Sequence, residues 1–343
     1  MVGPTGDDFN FSDYHPENLN EPIMLWFARE TRDRSLARDE FVDIARAVEK
    51  LTTGKNALLG KNVGLSRHVP LEILWWDPSL PAGSDHRSRH WTIAGVLPLA
   101  AMRSAWDDRT AAFVAVKGGT PNHSHAHRDV GSFILEADGV RWAVDLGTES
   151  YDKMRAAKLD LWNYSQASSR WTTFRVGPEG HNILRFDGAY QDVDEKAEIR
   201  ALSDEHGTMG NVIELTPLYR SQVARVERAI TLKADRSISI AAAWTAAERP
   251  VTATWQWLTR AKVTRTAGGL LLEQEGESLV LKVESQSDGS AIAIEVQDVS
   301  APRALQDSAN PGLTRIVITV PTAAKASGRL VVLAIPGSNK AAR

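Results

Sequence analysis

The 343-residue chain contains no cysteine, which excludes disulfide bonds and thiolate metal ligands. It also lacks an apolar run long enough to cross a membrane, and its acidic, polar start is unlike a signal peptide. The net charge is only −3 and no basic run is present, so neither nucleic acid nor a membrane surface is an expected partner. The length allows one large domain or two ordinary ones.

Tryptophan, in contrast, is plentiful, with eleven in the chain. Large aromatic side chains stack on sugar rings, but they are also ordinary core material. Composition alone favours the core, because these residues are mostly buried in globular proteins.

The first ninety residues differ in pattern from the rest. Apolar residues recur with helical spacing over 22–30 and 38–51, which predicts a helical segment within 1–90. Residues 81–90 are polar and loop-like. From Trp91 onward, short strand-like segments are separated by turn residues without interleaved helices. This pattern predicts a mainly β domain over 91–343, built as a multi-layered antiparallel sandwich.

The densest chemistry lies in residues 121–133, where His123, His125 and His127 fall within five positions. On an extended strand, alternate side chains point to one side, so these histidines and Asp129 are expected to share a face. Such a face is either a wet surface or a site that binds a metal or moves protons.

A β-hairpin is predicted directly after these histidines. Strand-like residues 132–137 and 140–145 flank Asp138-Gly139, a strong two-residue turn signal. In this hairpin Trp142 is expected to face the core. The return strand ends in an acid, Asp145, which we expect to come back close to His127.

Asp145 and His127 are therefore candidate metal ligands, since aspartate and histidine suit a borderline ion such as Zn²⁺. A third ligand must come from elsewhere in the chain, and His181, at the mouth of another predicted strand, is the best candidate. Asp129 is a candidate partner that orients a histidine, or a residue that stabilises a turn. A solvated histidine cluster is the alternative.

Several segments together carry a resemblance to a known family. They are, in order, residues 6–13, 25–28, 122–133, 142–147, 180–184 and 187–191. They resemble the heparinase II/III-like family, whose members are polysaccharide lyases acting on heparin, heparan sulfate or alginate. The first two resemble the end of the family's helical domain.

The resemblance implies an incomplete α/α toroid joined to a multi-layered antiparallel β-sandwich, with the sugar chain bound between them. It implies that His127, Asp145 and His181 hold a metal, usually zinc, and that His125 faces the substrate. It further implies an exported protein, periplasmic or secreted. This chain differs in having only about ninety residues where the family has a much longer toroid.

A uronate lyase must neutralise the sugar carboxylate, remove the proton beside it and protonate the departing oxygen. His125 is the candidate base or charge stabiliser. Tyr164 is preferred over Tyr151 as the acid, because its neighbours are aromatic and amide side chains suited to sugar. The metal is expected to be structural, holding the hairpin and thereby His125 in place.

Arg170 and Arg175 are candidate substrate contacts, because a guanidinium binds a carboxylate or sulfate with two hydrogen bonds. Asn122 is a third candidate substrate contact. For both arginines, packing or a surface ion pair is an equally open reading.

Two other functions compete with the lyase. One is a non-catalytic carbohydrate-binding or scaffold sandwich that keeps the metal site. The other is a metallo-β-lactamase-type hydrolase, since residues 125–129 read His-Ala-His-Arg-Asp. Val130 stands where that hydrolase motif needs a histidine, and no alternation of strands and helices is evident, so we discount it.

Overall fold

The computed structural model describes residues 1–14, 22–38, 40, 69–80, 87–286 and 292–337. The chain divides into two units, one of Met1–Tyr14 with Arg89–Arg343 and the other of His15–Ser88. Nearly all of the helix predicted over 38–51 lies outside the described residues.

The smaller unit contains the helices α1 (Ile23–Thr31) and α2 (Val69–Trp75) and a 3₁₀ turn at Arg34–Ala37. Helix α1, which the sequence predicts over 22–30, buries Leu25 and Ala28 in a small apolar cluster. The larger unit adds the short α3 (Tyr151–Ala156). Among the described residues, no helix is both long and apolar enough to cross a membrane.

The first fourteen residues contain no helix and pack with the sheets, which differs from the predicted helical segment. The backbone N–H of Thr5 donates to the buried Glu136 carboxylate at 2.9 Å. Arg141, which pairs with Glu136, also donates to the backbone oxygens of Asp7 and Asp8. The boundary at residue 90 itself stays a prediction.

The predicted mainly β architecture is confirmed, with three antiparallel sheets among the described residues. The first sheet has the order β1 (His90–Ile93), β2 (Leu99–Arg103), β3 (Phe113–Lys117), β4 (Phe133–Ala137) and β5 (Val140–Ala143). The second has the order β12 (Lys262–Thr266), β13 (Gly269–Gln274), β14 (Glu277–Gln286), β17 (Ser327–Pro336), β10 (Ile238–Ala246), β9 (Val223–Leu232), β8 (Thr208–Glu214) and β7 (Ile199–Glu205). The third has the order β15 (Ala293–Asp298), β16 (Thr314–Thr322), β11 (Val251–Thr259) and β6 (Leu184–Phe186).

One continuous core joins all three sheets. It forms because apolar residues alternate along strands such as β9 and β10 and so share one face of each sheet. Trp142, Trp255 and Trp257 are fully buried in it, which confirms the expected core position of Trp142. Burial of a leucine or phenylalanine side chain stabilises a fold by about 1.5–3 kcal/mol, and a tryptophan side chain is larger than either.

The predicted hairpin is confirmed as β4 and β5. Its two turn residues, Asp138 and Gly139, have φ of 55° and 79°, the left-handed conformation that a tight hairpin turn requires. The strands are shorter than predicted, so Asp145 follows β5 and lies outside it.

The predicted strand through the histidine segment is wrong. Residues 121–132 lie in the connection between β3 and β4, and this connection has to reverse the chain direction. The Ala126 N–H donates to His123 O at 3.0 Å, which closes a turn, and His125 has φ 64°. The alternation rule therefore does not apply here, and the side chain of His125 is 53% exposed while that of His127 is fully buried.

Candidate active site

The candidate site lies at the open end of the β4–β5 hairpin, entirely within the larger unit. Five segments build it: the end of the N-terminal strap (Met1–Tyr14), the β3–β4 loop, the loop after β5, residues 151–164 with Tyr151, Trp162 and Tyr164, and the residues around His181. The strap takes part because hydrogen bonds fix its backbone to the first sheet.

Two fully buried histidines form the interior of the site. The rings of His127 and His181 have centroids 5.3 Å apart. His127 Nε2 lies 3.0 Å from Asp13 Oδ1, and His181 Nδ1 lies 3.1 Å from Asp145 Oδ2. Because a carboxylate only accepts hydrogen bonds, these two ring nitrogens are the donors.

The other nitrogen of each ring is left with a lone pair and no partner. Within the described residues, His127 Nδ1 and His181 Nε2 are buried without a hydrogen bond. His127 and His181 each offer a ring nitrogen and the buried Asp129 offers a carboxylate oxygen, and these three ligand atoms all lie within 4.8 Å of one another. Histidine nitrogens and a carboxylate oxygen are ligands that Zn²⁺ accepts, and a carboxylate behind each ring is typical of metal sites. The residues present therefore fit a cation.

The structure brings Asp129 as well as Asp145 to the two histidines, in different positions. Asp129 belongs to the three-ligand group and pairs with the buried Lys117. Asp145 stands behind His181 and also accepts from the backbone N–H of Gly147 at 3.1 Å. The metal role of Asp145 stays a prediction, and its place here is that of a carboxylate that orients a ligand ring.

The carboxylates of Asp13 and Asp129 stay ionised, although both are buried, because of the groups beside them. Burial raises the pKa of Asp13, but hydrogen bonds, led by that from His127, lower the pKa well below its usual range. Burial likewise opposes ionisation of Asp129, yet the Lys117 ammonium holds its pKa low. Burial lowers the pKa of His127 despite Asp13, which favours the neutral ring that a metal ligand requires.

Burial also acts on His181, but there the charge of Asp145 prevails and raises the pKa. Asp145 therefore keeps a hydrogen on His181 Nδ1, and the neutral ring has its lone pair on Nε2. Because the raised pKa favours the charged ring, a metal ion at Nε2 has to displace a proton.

Asn182 fixes His181 in this position. Its side-chain amide donates to Phe133 O at 2.7 Å and Val144 O at 2.9 Å, and its side-chain oxygen accepts from Leu258 N–H at 2.6 Å. The base of the hairpin is thereby attached to β11, with His181 one residue away. Sequence reasoning gave Asn182 no role, although it stands in the motif that includes His181.

His125 is the exposed member of the site. Its Nδ1 lies 3.0 Å from Asp13 Oδ2, and the Tyr151 hydroxyl donates to the same carboxylate oxygen. His125 therefore carries its hydrogen on Nδ1, and the lone pair of the neutral ring is on Nε2. Sequence reasoning missed Asp13 because it is 112 positions from His125.

The two tyrosines differ in what their hydroxyl hydrogens do. The Tyr164 hydroxyl accepts from the backbone N–H of His125 at 2.9 Å, which leaves its own hydrogen for another acceptor. The Tyr151 hydrogen is committed to Asp13, and burial and that carboxylate together raise the Tyr151 pKa well above its ordinary value. Tyr164 is thus the better placed proton donor.

Trp162 adds an exposed aromatic face beside His125. Its side chain is 56% exposed. Its ring meets His125 edge-on at 5.9 Å and Tyr151 edge-on at 5.3 Å between centroids. An open aromatic face of this kind is a surface on which a sugar ring can stack. The sequence could have indicated Trp162 as a site residue, because it lies two residues before Tyr164, the candidate acid.

Arg170 corrects an expectation, because its side chain is buried. Its guanidinium donates to the backbone oxygens of Leu161 at 2.6 Å and Ala126 at 2.9 Å and lies over the Tyr164 ring. Arg170 thus supports the loops that carry His125 and Tyr164, in place of the predicted grip on substrate.

The other two predicted substrate contacts lie nearer the surface. Arg175 is partly exposed, yet its three nitrogens donate to Asn310, Thr148 and Ala309. The Asn122 side chain is exposed on the same loop as His125. Both contacts stay predictions, and Arg175 would have to exchange existing hydrogen bonds for a ligand.

Comparison with known proteins agrees with this fold. The model of the heparinase II/III-like C-terminal domain matches residues 99–330. The chain therefore belongs to the heparinase II/III-like family. No curated protein matches the sequence.

Solved structures of similar fold include a heparinase III with a TM-score of 0.53 and 15% identity, over 71% of this chain and 36% of that one. A second heparinase III has a TM-score of 0.60 and 14% identity, over 100% of this chain and 45% of that one. The heparan sulfate lyase HepC from Pedobacter heparinus has a TM-score of 0.58 and 13% identity, over 98% and 45%. This chain therefore spans less than half the length of these proteins.

Proposed function

We propose that this chain is the sandwich portion of a polysaccharide lyase, with His125 at its reacting centre. The observation that supports the proposal most is the exposed His125 ring, held by Asp13 at Nδ1, which leaves Nε2 as the nitrogen that can take a proton. Tyr164 on its backbone N–H and Trp162 against its ring supply an acid and an apolar surface beside it.

The substrate class follows from the family and from the names of its structural neighbours. Heparinase III and a heparan sulfate lyase act on anionic polysaccharides, and we infer a uronate-containing polysaccharide for this chain. Such a polymer is found outside the cytoplasm, so we propose a periplasmic or secreted protein, which cell fractionation tests.

The proposed reaction is a β-elimination. His125 Nε2 takes the proton from the carbon beside the uronate carboxylate, and the electron pair forms a carbon–carbon double bond as the bond to the glycosidic oxygen breaks. The Tyr164 hydroxyl gives its proton to that departing oxygen. No water is consumed, and each proton transfer of this kind contributes about 10²–10⁴-fold to a rate.

We further propose that His127, His181 and Asp129 hold a zinc ion. When bound, it supplies a fixed positive charge that ties the β3–β4 loop to the segment around His181. Asp13 and Asp145 orient the two rings from behind. Because all of these groups are buried, the role of the site is to hold the loop that carries His125.

Removal of either histidine is expected to abolish stoichiometric zinc binding. His127→Ala and His181→Ala should each lose the metal, measured by mass spectrometry of the native protein. Each should also lose the stabilisation by zinc, about 4 kcal/mol when free zinc is about 1,000-fold above its Kd. His123→Ala is the matched control on the same loop and should keep both. Stoichiometric zinc in His127→Ala and His181→Ala would exclude this site.

The Trp162 face is expected to bind a sugar ring. Trp162→Ala should weaken binding of a uronate oligosaccharide by about 2- to 10-fold, the effect of losing about 0.5–1.5 kcal/mol of aromatic contact. Trp162→Phe keeps part of the aromatic face, so its affinity should lie between that of the wild type and that of Trp162→Ala. The affinities are measured by titration calorimetry. All three proteins also carry His125→Ala, so that the oligosaccharide is not turned over. Equal affinities for all three proteins would show that Trp162 does not touch the sugar.

The experiment that tests the proposed function is incubation of the protein with heparan sulfate, heparin and alginate, followed by ultraviolet detection of unsaturated uronate. A neutral glucan serves as the control substrate. We expect product from at least one uronate polymer and none from the glucan. Binding without product would favour the second candidate, a non-catalytic carbohydrate-binding sandwich, whose supporting observation is the exposed Trp162.

A further inference from the structure

One carboxylate, that of Asp13, contacts an exposed histidine and a buried histidine. Asp13 Oδ2 accepts from the exposed His125, and Asp13 Oδ1 accepts from the buried His127, both at 3.0 Å. We propose that Asp13 is the positioning residue of the site, which sets the hydrogen on both rings and couples the exposed base to the buried histidine pair. The inference deepens the proposed function and rests on it only for the effect on activity.

The chemistry of a carboxylate fixes the direction of both hydrogen bonds. Its two oxygens can only accept, so each ring must turn an N–H toward Asp13. The neutral ring of His125, whose side chain is 53% exposed, then has its lone pair on Nε2. The neutral ring of His127 has its lone pair on Nδ1, which is buried without a hydrogen bond among the described residues. An amide at position 13 has one accepting oxygen and one donating nitrogen, and so it cannot hold both rings in this state.

Hydrogen bonds hold the strap in place just before Asp13. Arg141 donates to the backbone oxygen of Asp8 at 2.6 Å, and the Asn10 side chain donates to Asp145 O at 3.1 Å. These bonds fix the strap before residue 13, where the side chain is only 8% exposed. Placement of this quality is what a positioning residue requires, since small shifts of a catalytic base cost large factors in rate.

The test is the tautomer of each ring, measured by NMR on metal-free protein with ¹⁵N-labelled histidine. In the wild type we expect the hydrogen of His125 on Nδ1 and that of His127 on Nε2. In Asp13→Asn one of the two must reverse. Reversal at His125 should lower kcat by about 10²–10⁴-fold with zinc binding kept, since the base loses its lone pair. Reversal at His127 should instead abolish zinc binding.

Asp8→Asn is the matched control in the same strap, because the Asp8 carboxylate accepts from Tyr14 at 2.8 Å. It should leave both tautomers as in the wild type. The proposal is overturned if the wild-type rings carry their hydrogens on the other nitrogens, if Asp13→Asn changes neither, or if Asp8→Asn produces the same change. A wild type without lyase activity would refute the proposed function, while the tautomers would still decide the role of Asp13.

Discussion

His125→Ala is expected to lower kcat for uronate cleavage by about 10²–10⁴-fold, the usual contribution of a general base. The ring is more than half exposed, so its loss removes little packing. The free energy of unfolding should fall by only about 1 kcal/mol, for the hydrogen bond to Asp13. Steady-state kinetics and urea unfolding on the same samples separate the two effects.

His123→Ala is the matched control for this variant. His123 lies two residues away, and its Nδ1 contacts the backbone oxygen of Ser124 at 2.7 Å. It should keep wild-type kcat and zinc content. If His125→Ala retains activity within about 2-fold of the wild type, a group other than His125 removes the proton, since a true base contributes at least about 10²-fold.

Lys117→Met is expected to cost about 3–5 kcal/mol of unfolding free energy, because it leaves the Asp129 carboxylate buried without its partner. Both side chains are fully buried and form an ion pair, and Asp129 belongs to the three-ligand group. Urea unfolding in the presence of a chelator measures this cost without a contribution from zinc. Added zinc should restore part of the stability, because the proposed ion also neutralises Asp129.

An exposed pair provides the comparison. Arg155 and Asp152 lie 3.0 Å apart on α3, with side chains 59% and 94% exposed. Arg155→Met should change the unfolding free energy by less than about 1 kcal/mol, since water and salt screen such pairs. Equal losses for Lys117→Met and Arg155→Met would mean that the Lys117–Asp129 pair is not buried as described.

The hairpin was predictable because its signal is local. Asp138-Gly139 requires a left-handed turn, and the strand residues on either side of it pair with each other across the hairpin. The helix α1 and the β-sandwich follow from periodicity in the same way. The turn, the helix and the alternation along each strand all depend on residues close to one another in sequence.

The interior of the site was less predictable, since its contacts join distant segments. Nothing near Asp13 in the sequence indicates that it will lie between His125 and His127. The choice between Asp129 and Asp145 depends on how the β3–β4 loop turns, and the strand assumption placed that loop incorrectly. Periodicity describes strands and helices, whereas this loop follows neither period.

Arg170 illustrates a second limit of sequence reasoning. A guanidinium suits a sugar carboxylate and backbone oxygens equally well, and only the fold shows which of these it meets. Here two backbone oxygens take its hydrogens, and Trp171 and Tyr164 cover its plane.

The most direct test of the account is mass spectrometry of digestion products formed in ¹⁸O-labelled water. Elimination adds no water, so the product masses should sum to the substrate mass, one new end should be unsaturated, and no ¹⁸O should be incorporated. Products that carry ¹⁸O, with masses summing to substrate plus water, would identify a hydrolase and contradict the account. No cleavage of any uronate polymer would contradict it as well, and would leave carbohydrate binding as the function of the site.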